Sequence, residues 1–362
     1  MSAAVPGSFS IALDARRWGR TGLGRYQSEL YRHLRREAPH AQLTLVGGPA
    51  HQAAELGAAC LPFTAPLYSP QEQWLGGRAM ARARASVYHF PHYSVPRWAP
   101  RPYVVTVHDL IHFTFPQDFG MAKVAVARHV LRRAVARAAK VICVSASTAR
   151  DLAALAPASA GKAVVIGEGV SDLFRPASRG EVDALRARHR LDRFVLSMGD
   201  RAPHKRFDVV ANAFRWLRER DEGLRLVVVG ERGAGAAPPD PEGTLRLDYV
   251  SDAELRVIYS AASCLLFPSA YEGFGLPPLE AMACGCPVVC SRGSSLDEVC
   301  GGAAVQVDGA NWREVGEAAW ALLADEGQRQ QWVAAGLTHG GRFSWTDAAR
   351  RTLAVLHEAA GQ

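Results

Sequence analysis

Long apolar runs are missing from this chain. Nowhere in its 362 residues do apolar side chains approach the roughly 20 consecutive positions of a membrane-spanning helix, so a polytopic membrane protein is not expected. The opening residues Met1-Ser2-Ala3-Ala4-Val5-Pro6-Gly7 lack a basic start and a long apolar core. They do not read as a secretory leader, and the expected compartment is the cytoplasm. Cysteine is sparse. Seven residues, an odd number without a regular framework, argue against a disulfide-stapled scaffold and for a reducing environment. Cys284, Cys286 and Cys290 cluster, but no His or Cys set matches them at metal-ligand spacing. They are expected as small buried apolar residues. There is no Asp-x-Asp pair of the metal-binding kind, no solenoid-type repeat, no low-complexity tract and no nucleic-acid motif.

What is present is globular. Hydrophobic residues make up 48% and charged residues 21%, and the length suffices for two domains. The net charge of +7 is unevenly spread. Residues 1–180 hold 22 Lys and Arg against 10 Asp and Glu, and the remainder holds 20 against 25. The first half is therefore suited to an anionic partner or an anionic membrane surface.

Apolar strand-like runs alternate with helical stretches. The first set lies at 9–13, 42–46, 87–90, 103–107 and 141–145; the second at 194–198, 224–229, 264–267 and 287–290. Ten or more helical residues separate most of them, which argues parallel sheets with crossover helices. The expected fold class is α/β, with two doubly wound, Rossmann-like domains facing across a cleft. A stretch rich in Gly, Ser, Pro and charge, about 167–191, is the expected linker. The expected domains are 1–175 and 176–345, followed by a C-terminal helix, 346–362. The Ala/Arg-rich runs 77–85 and 124–139 read as helices. In the helix at 121–140, Val124, Leu131 and Val135 share a face, and six Lys and Arg fill much of the rest. Two readings stay open for it: a solvated helix on the sheet, or a basic face toward anionic lipid or a lipid-linked pyrophosphate.

The densest information lies at 269–287, Ser-Ala-Tyr-Glu-Gly-Phe-Gly-Leu-Pro-Pro-Leu-Glu-Ala-Met-Ala-Cys-Gly-Cys-Pro. It reads as strand, glycine loop, helix, strand. Pro277 and Pro278 suit a first helical turn, and Gly285 suits the position past its end. A loop feeding a helix N-terminus is a place for phosphate. Glu272 and Glu280 bracket it with acceptor-only carboxylates, the partners that sugar and ribose hydroxyls need. A diphosphate flanked by two hydroxyl-bearing rings is a nucleotide-sugar. A Glu–Glu spacing alone would fit an ordinary surface helix; the full run argues against that.

This run resembles the signature of the retaining family 4 glycosyltransferases, which have the GT-B fold. The resemblance implies that Glu272 meets the donor sugar and Glu280 the ribose, with the backbone of Phe274, Gly275 and Leu276 along sugar and phosphate. It extends to other segments. Asp14 and Thr21-Gly22-Leu23-Gly24-Arg25-Tyr26 look like the family's amino-terminal loop, which places Gly22, and with it Gly24, behind the donor diphosphate. His108, in Val105-Thr-Val-His-Asp-Leu110, ends a strand, where an open sheet presents side chains to ligand. In relatives this histidine lines the junction of donor and acceptor; a structural histidine is the bland alternative. His89, His92 and His112 are scattered nearby without a dependable ligand spacing, which suits the lining of an acceptor cleft better than a metal.

In Ser197-Met-Gly199-Asp-Arg-Ala-Pro-His-Lys205-Arg206, the family's glycine six before a lysine falls on Gly199 and Lys205. Lys205 is the expected clamp on the leaving diphosphate, whose growing charge needs a fixed cation. Relatives often place an arginine just after the glycine. Asp200 stands there instead, so the second cation falls to Arg201, with Arg206 toward solvent. Val250 and Ser251 are implied as nucleobase contacts, although a capping box from Ser251 to Glu254 explains those two residues structurally. Ser295-Leu-Asp-Glu-Val299 resembles the family's Ser-Leu-Pro-Glu-Val, with Glu298 in a supporting role. The tail at 345–357 reads as an amphipathic helix that in this fold crosses back to the first domain.

The resemblance implies retaining, metal-independent transfer of a hexosyl group to a saccharide or lipid-linked acceptor, with no cofactor and no nucleic acid partner. The motif texture is closest to mannosyltransferases that use GDP-mannose in surface polysaccharide synthesis. Two alternatives are a nucleotide-sugar epimerase on the same scaffold and a non-catalytic sugar-binding protein.

Overall fold

A computed structural model describes residues 9–19, 22–199, 202–230 and 239–361. The chain forms two compact units, one of residues 1–169 with 344–362 and the other of residues 170–343.

Unit 1 is built on seven parallel strands: β1 (Ser10–Asp14), β2 (Gln42–Val46), β3 (Ala59–Leu61), β4 (Val87–Phe90), β5 (Tyr103–Val107), β6 (Lys140–Cys143) and β7 (Ala163–Val165). Their order is β3-β2-β1-β4-β5-β6-β7. The connecting helices are α1 (Gly22–Glu37), α2 (Ala50–Glu55), α3 (Pro70–Ala81), α4 (Ile111–Thr114), α5 (Met121–Arg137) and α6 (Ala146–Leu155). Val87 to Phe90 and Tyr103 to Val107 are buried throughout. A parallel strand covered on both faces reads as continuous apolar sequence, which is why these strands stand out in it.

Unit 2 repeats the plan with six parallel strands: β8 (Phe194–Met198), β9 (Arg225–Val229), β10 (Thr244–Leu247), β11 (Cys264–Phe267), β12 (Val288–Ser291) and β13 (Val305–Val307), ordered β10-β9-β8-β11-β12-β13. Its helices are α7 (Arg179–His189), α8 (Phe207–Arg218), α9 (Asp252–Ala261), α10 (Leu276–Ala283), α11 (Leu296–Cys300), α12 (Trp312–Ala324) and α13 (Glu326–Gly340). In both sheets the strand order reverses beside the first strand, between β1 and β4 and between β8 and β11. Such a reversal opens a crevice at the carboxyl ends of the strands, where open α/β sheets bind ligands.

The last helix, α14 (Trp345–Ala360), belongs to unit 1. Trp345, Ala348, Ala349, Val355 and Leu356 share a core with Leu30 and Leu34 of α1. His33 Nδ1 lies 3.0 Å from Thr346 Oγ1. The chain leaves unit 1 at Gly169 and re-enters at Ser344 so closely that a Cβ on Gly169 would come within 2.2 Å of the Trp345 nitrogen. Only glycine fits that crossing.

Two expectations change. The stretch 167–191 is not mere linker: α7 fills 179–189, opened by a full capping box between Ser178 and Glu181. At α9, Ser251 Oγ accepts from the Glu254 N–H at 3.2 Å, while the Glu254 carboxylate reaches the Arg188 guanidinium at 3.5 Å.

Candidate functional site

Gly199, Lys205 and the loop that carries Glu272 come together at the strand-order reversal of unit 2. Gly199 follows β8 with φ +108°, a backbone conformation that favours glycine. The stem of Lys205 runs past it: a Cβ on Gly199 would meet Lys205 Cδ at 3.7 Å. Lys205 closes a short 3-10 turn, Pro203–Lys205. That turn is tied to the loop after β11, because the Ala270 N–H donates to the His204 carbonyl at 2.7 Å. The tie brings Lys205 Nζ to 2.6 Å from Glu272 Oε1 and 5.4 Å from the centre of the Phe267 ring. Both members of the pair are largely shielded from water.

The loop then turns through Phe274 and Gly275, at φ +111°, into α10. A Cβ on Gly275 would press to 2.9 Å against Leu296 Cδ2. The first turn of α10 contains Pro277 and Pro278, which have no N–H, so the donors at this helix end are the amides of Gly275 and Leu276. Glu280, 1% exposed, lies on the same helix, and the Tyr259 hydroxyl of α9 donates to its Oε2 at 3.3 Å. Val250 and Ser251 sit just ahead of α9, half-buried and exposed respectively. Arg201, the candidate second cation, lies outside the described residues.

Sequence reasoning missed the residue that pins this loop. Ser295, fully buried ahead of α11, places its hydroxyl 2.9 Å from the Glu272 carbonyl and 2.8 Å from that of Phe274. The Ser-Leu-Asp-Glu-Val run carried the signal, although its resemblance points to Glu298.

In unit 1, α1 begins at Gly22, and a Cβ there would meet nothing within 4 Å. Gly24 is different. Its Cβ would collide with the carbonyls of Gly19 and Arg17, at 2.4 and 2.6 Å, so this glycine admits the chain's own loop. Two residues on, the Tyr26 ring stands edge-on to His108, centroids 4.4 Å apart, and its hydroxyl lies 3.1 Å from Thr106 Oγ1. His108 Nδ1 faces Glu168 Oε1 at 2.9 Å, while Nε2 is buried with no hydrogen-bond partner among the described residues. Glu168 was not singled out by sequence; it falls in the stretch read as linker. Asp14 is engaged in a buried ion network: Arg16 donates to it at 2.7 and 2.8 Å and lies 2.7 Å from Glu72. His89 is inside the unit and His92 is half-buried, and desolvation pushes each down to about 3. Cys284, Cys286 and Cys290 are buried free thiols. Among the described residues no three His, Cys, Asp or Glu side chains are grouped to hold a metal ion, and no helix is long and apolar enough to cross a membrane.

Two family models match the chain: Glycosyltransferase Family 4 over residues 20–172 and Glycosyl transferases group 1 over residues 183–339. The O-antigen chain mannosyltransferase B of Escherichia coli is 30% identical over 278 residues, 74% of this chain and 73% of that one. The chain belongs to the family 4 glycosyltransferases. Its fold is GT-B. Sucrose-phosphate synthase from Thermosynechococcus elongatus superposes with a TM-score of 0.76 at 19% identity, covering 97% of this chain and 98% of that one. An Anabaena protein solved with UDP and glucose gives 0.74 at 16% identity, covering 96% and 99%. This glycosyltransferase therefore presents its family's signature loop at a strand-order reversal, with the lysine and first glutamate already in contact.

Proposed function

We propose that this glycosyltransferase moves a mannosyl group from GDP-mannose to a saccharide or lipid-linked saccharide acceptor, with retention at the anomeric carbon and without a metal ion. The observation that carries the reading is the Lys205–Glu272 contact on the loop that leads through Gly275 into the start of α10. Cation and amides suit a leaving diphosphate, and the carboxylate suits sugar hydroxyls. Glu280, on the same helix, suits the ribose. The mannosyl choice follows the E. coli relative.

In the proposed step the bond from the sugar's anomeric carbon to the diphosphate oxygen breaks. The acceptor oxygen bonds that carbon on the face being vacated, and the acceptor proton passes to a diphosphate oxygen. Lys205 and the two amides neutralise the charge arriving on the diphosphate as the bond opens.

Thermal unfolding with a panel of nucleotide-sugars tests the donor. GDP-mannose at about 100 times its dissociation constant should stabilise by about 2.7 kcal/mol. Transfer should continue in excess chelator, and Lys205→Ala should lower turnover roughly 100-fold. Stabilisation by a different nucleotide-sugar alone removes GDP-mannose. Activity lost in chelator and restored by magnesium or manganese removes the metal-free reading. Conversion of the nucleotide-sugar to its epimer, with no acceptor and no net nucleotide release, favours the epimerase.

A further inference from the structure

Unit 1 exposes two tryptophans that touch each other. Trp74 on α3 is 60% exposed and Trp98, in the loop before β5, is 50% exposed, with ring centroids 4.6 Å apart. Leu75 beside them is 47% exposed. The local architecture holds this pair outward. Gly76 and Gly77 let the loop lie on α3: a Cβ on Gly76 would reach 2.7 Å from Pro96 Cγ, and one on Gly77 would reach 2.3 Å from the Trp98 carbonyl. From α5, Arg133 donates to Gln73 Oε1 at 2.7 Å and to the Val95 carbonyl, and Arg137 donates to the Arg97 carbonyl at 3.1 Å. Two arginines thus brace the loop that carries Trp98.

Next to the pair is a cavity of about 210 Å³ lined by Arg97, Trp98, Arg101, Tyr103, Arg133 and Arg137, among others, with no carboxylate in its wall among the described residues. Arg133 is pushed below the usual arginine value by burial and by the neighbouring Arg137 and Arg97. The wider surroundings have the same sign. Residues 73–150 contain twelve Lys and Arg against two acidic residues, Asp109 and Asp118. Guanidinium groups crowded around a cavity whose described lining holds no carboxylate suit a phosphate, which arginine binds through its planar fork. Exposed tryptophans beside cations suit the boundary between water and lipid, where an amphipathic ring buries its body and keeps its N–H wet. A second copy of the chain suits the face poorly, because a two-fold contact would set this cationic surface against itself.

We propose that this face docks the protein on an anionic bilayer, with Trp74, Leu75 and Trp98 entering the headgroup layer and the four-arginine cavity taking a lipid phosphate. The docking is separate from donor chemistry and stands or falls without it. It also relocates the membrane contact. Arg132, Arg133 and Arg137 of α5 all donate to main-chain carbonyls within unit 1, so their role is to build the face.

Co-sedimentation of the full chain with vesicles tests the proposal. Vesicles of phosphatidylcholine should leave it in solution, and vesicles containing phosphatidylglycerol should bring it down. Trp74→Ser with Trp98→Ser should weaken binding at least ten-fold. Arg97→Gln with Arg101→Gln should weaken it about thirty-fold, which is about 1 kcal/mol for each of two charges. Brominated phosphatidylglycerol should quench the wild-type fluorescence and spare the tryptophan double variant. Thermal midpoint and stabilisation by nucleotide-sugar should be unchanged in both variants, since all four side chains are exposed. The proposal is overturned if wild type ignores anionic vesicles, if it binds both vesicle types alike, or if the tryptophan variant binds as wild type does. Self-association that both variants abolish, without vesicle binding, would make the face an interface between copies instead.

Discussion

Glu168 decides which proton His108 carries. A carboxylate accepts, so at 2.9 Å from Nδ1 it keeps a proton there and leaves Nε2, buried and without a partner among the described residues, as the ring's acceptor. On the proposed reading of the site, Glu168 orients His108. In Glu168→Gln the amide can donate or accept, and the ring loses its fixed tautomer. Turnover is expected to fall, with the donor KM little changed. A variant with wild-type turnover and only a lower Tm would reduce Glu168 to a packing role. The proposed function divides the two glutamates of unit 2 by position. Glu280→Gln should weaken binding of the bare nucleoside diphosphate, and Glu272→Gln should spare it while damaging transfer. Calorimetric titration separates them; equal losses would contradict the division.

The loop that presents Glu272 is held at the level of elements. One Ser295 hydroxyl ties the loop after β11 to the start of α11, and Leu296 packs against Gly275. Ser295→Ala leaves buried carbonyls short of a donor, which costs roughly 1–3 kcal/mol. Because the freed carbonyls belong to Glu272 and Phe274, the donor KM should rise more than turnover falls. Steady-state kinetics beside thermal unfolding checks this: a lower Tm with an unchanged KM would mean that the loop keeps its shape without the serine. The same elements mark what could be read in advance. The interior strands were legible because burial on both faces makes them continuous apolar runs. The four strands that escaped, β3, β7, β10 and β13, are the four sheet edges. They are three or four residues long and mostly half-exposed, so no apolar run announces them. The site divides likewise. Glu272 to Glu280 is contiguous, and its spacing carries its chemistry. Glu168 lies 60 residues from His108, and Ser295 lies 23 from Glu272, so those pairings exist only once the sheets have formed.

At the scale of the whole molecule, the two units differ in how they should answer to acid. Unit 1 holds His89 with no exposure, its Nε2 2.9 Å from Thr106 Oγ1 and its Nδ1 without a partner among the described residues. Burial, reinforced by nearby His108, pushes this imidazole from 6.5 down to about 3. The folded chain therefore keeps it neutral, and the unfolded chain takes up a proton as the pH drops through 6.5. The stability tied to the neutral ring is complete above that pH and declines as pH falls toward 3, by about 1.4 kcal/mol per unit. Burial pushes His92 and His112 in the same direction. In unit 2 the carboxylates held low, Glu181 and Glu326, start from 4.5, so their contribution is lost only at lower pH. Between pH 7 and 5, acid should thus loosen unit 1 first. His89→Gln keeps a polar partner for Thr106 but does not titrate. Relative to its own value at pH 7, it should lose about 2 kcal/mol less than wild type on going to pH 5. Denaturant unfolding at the two pH values measures the difference. Equal losses in the two proteins would show that His89 takes up its proton in the folded state at an ordinary pH, against the burial that surrounds it.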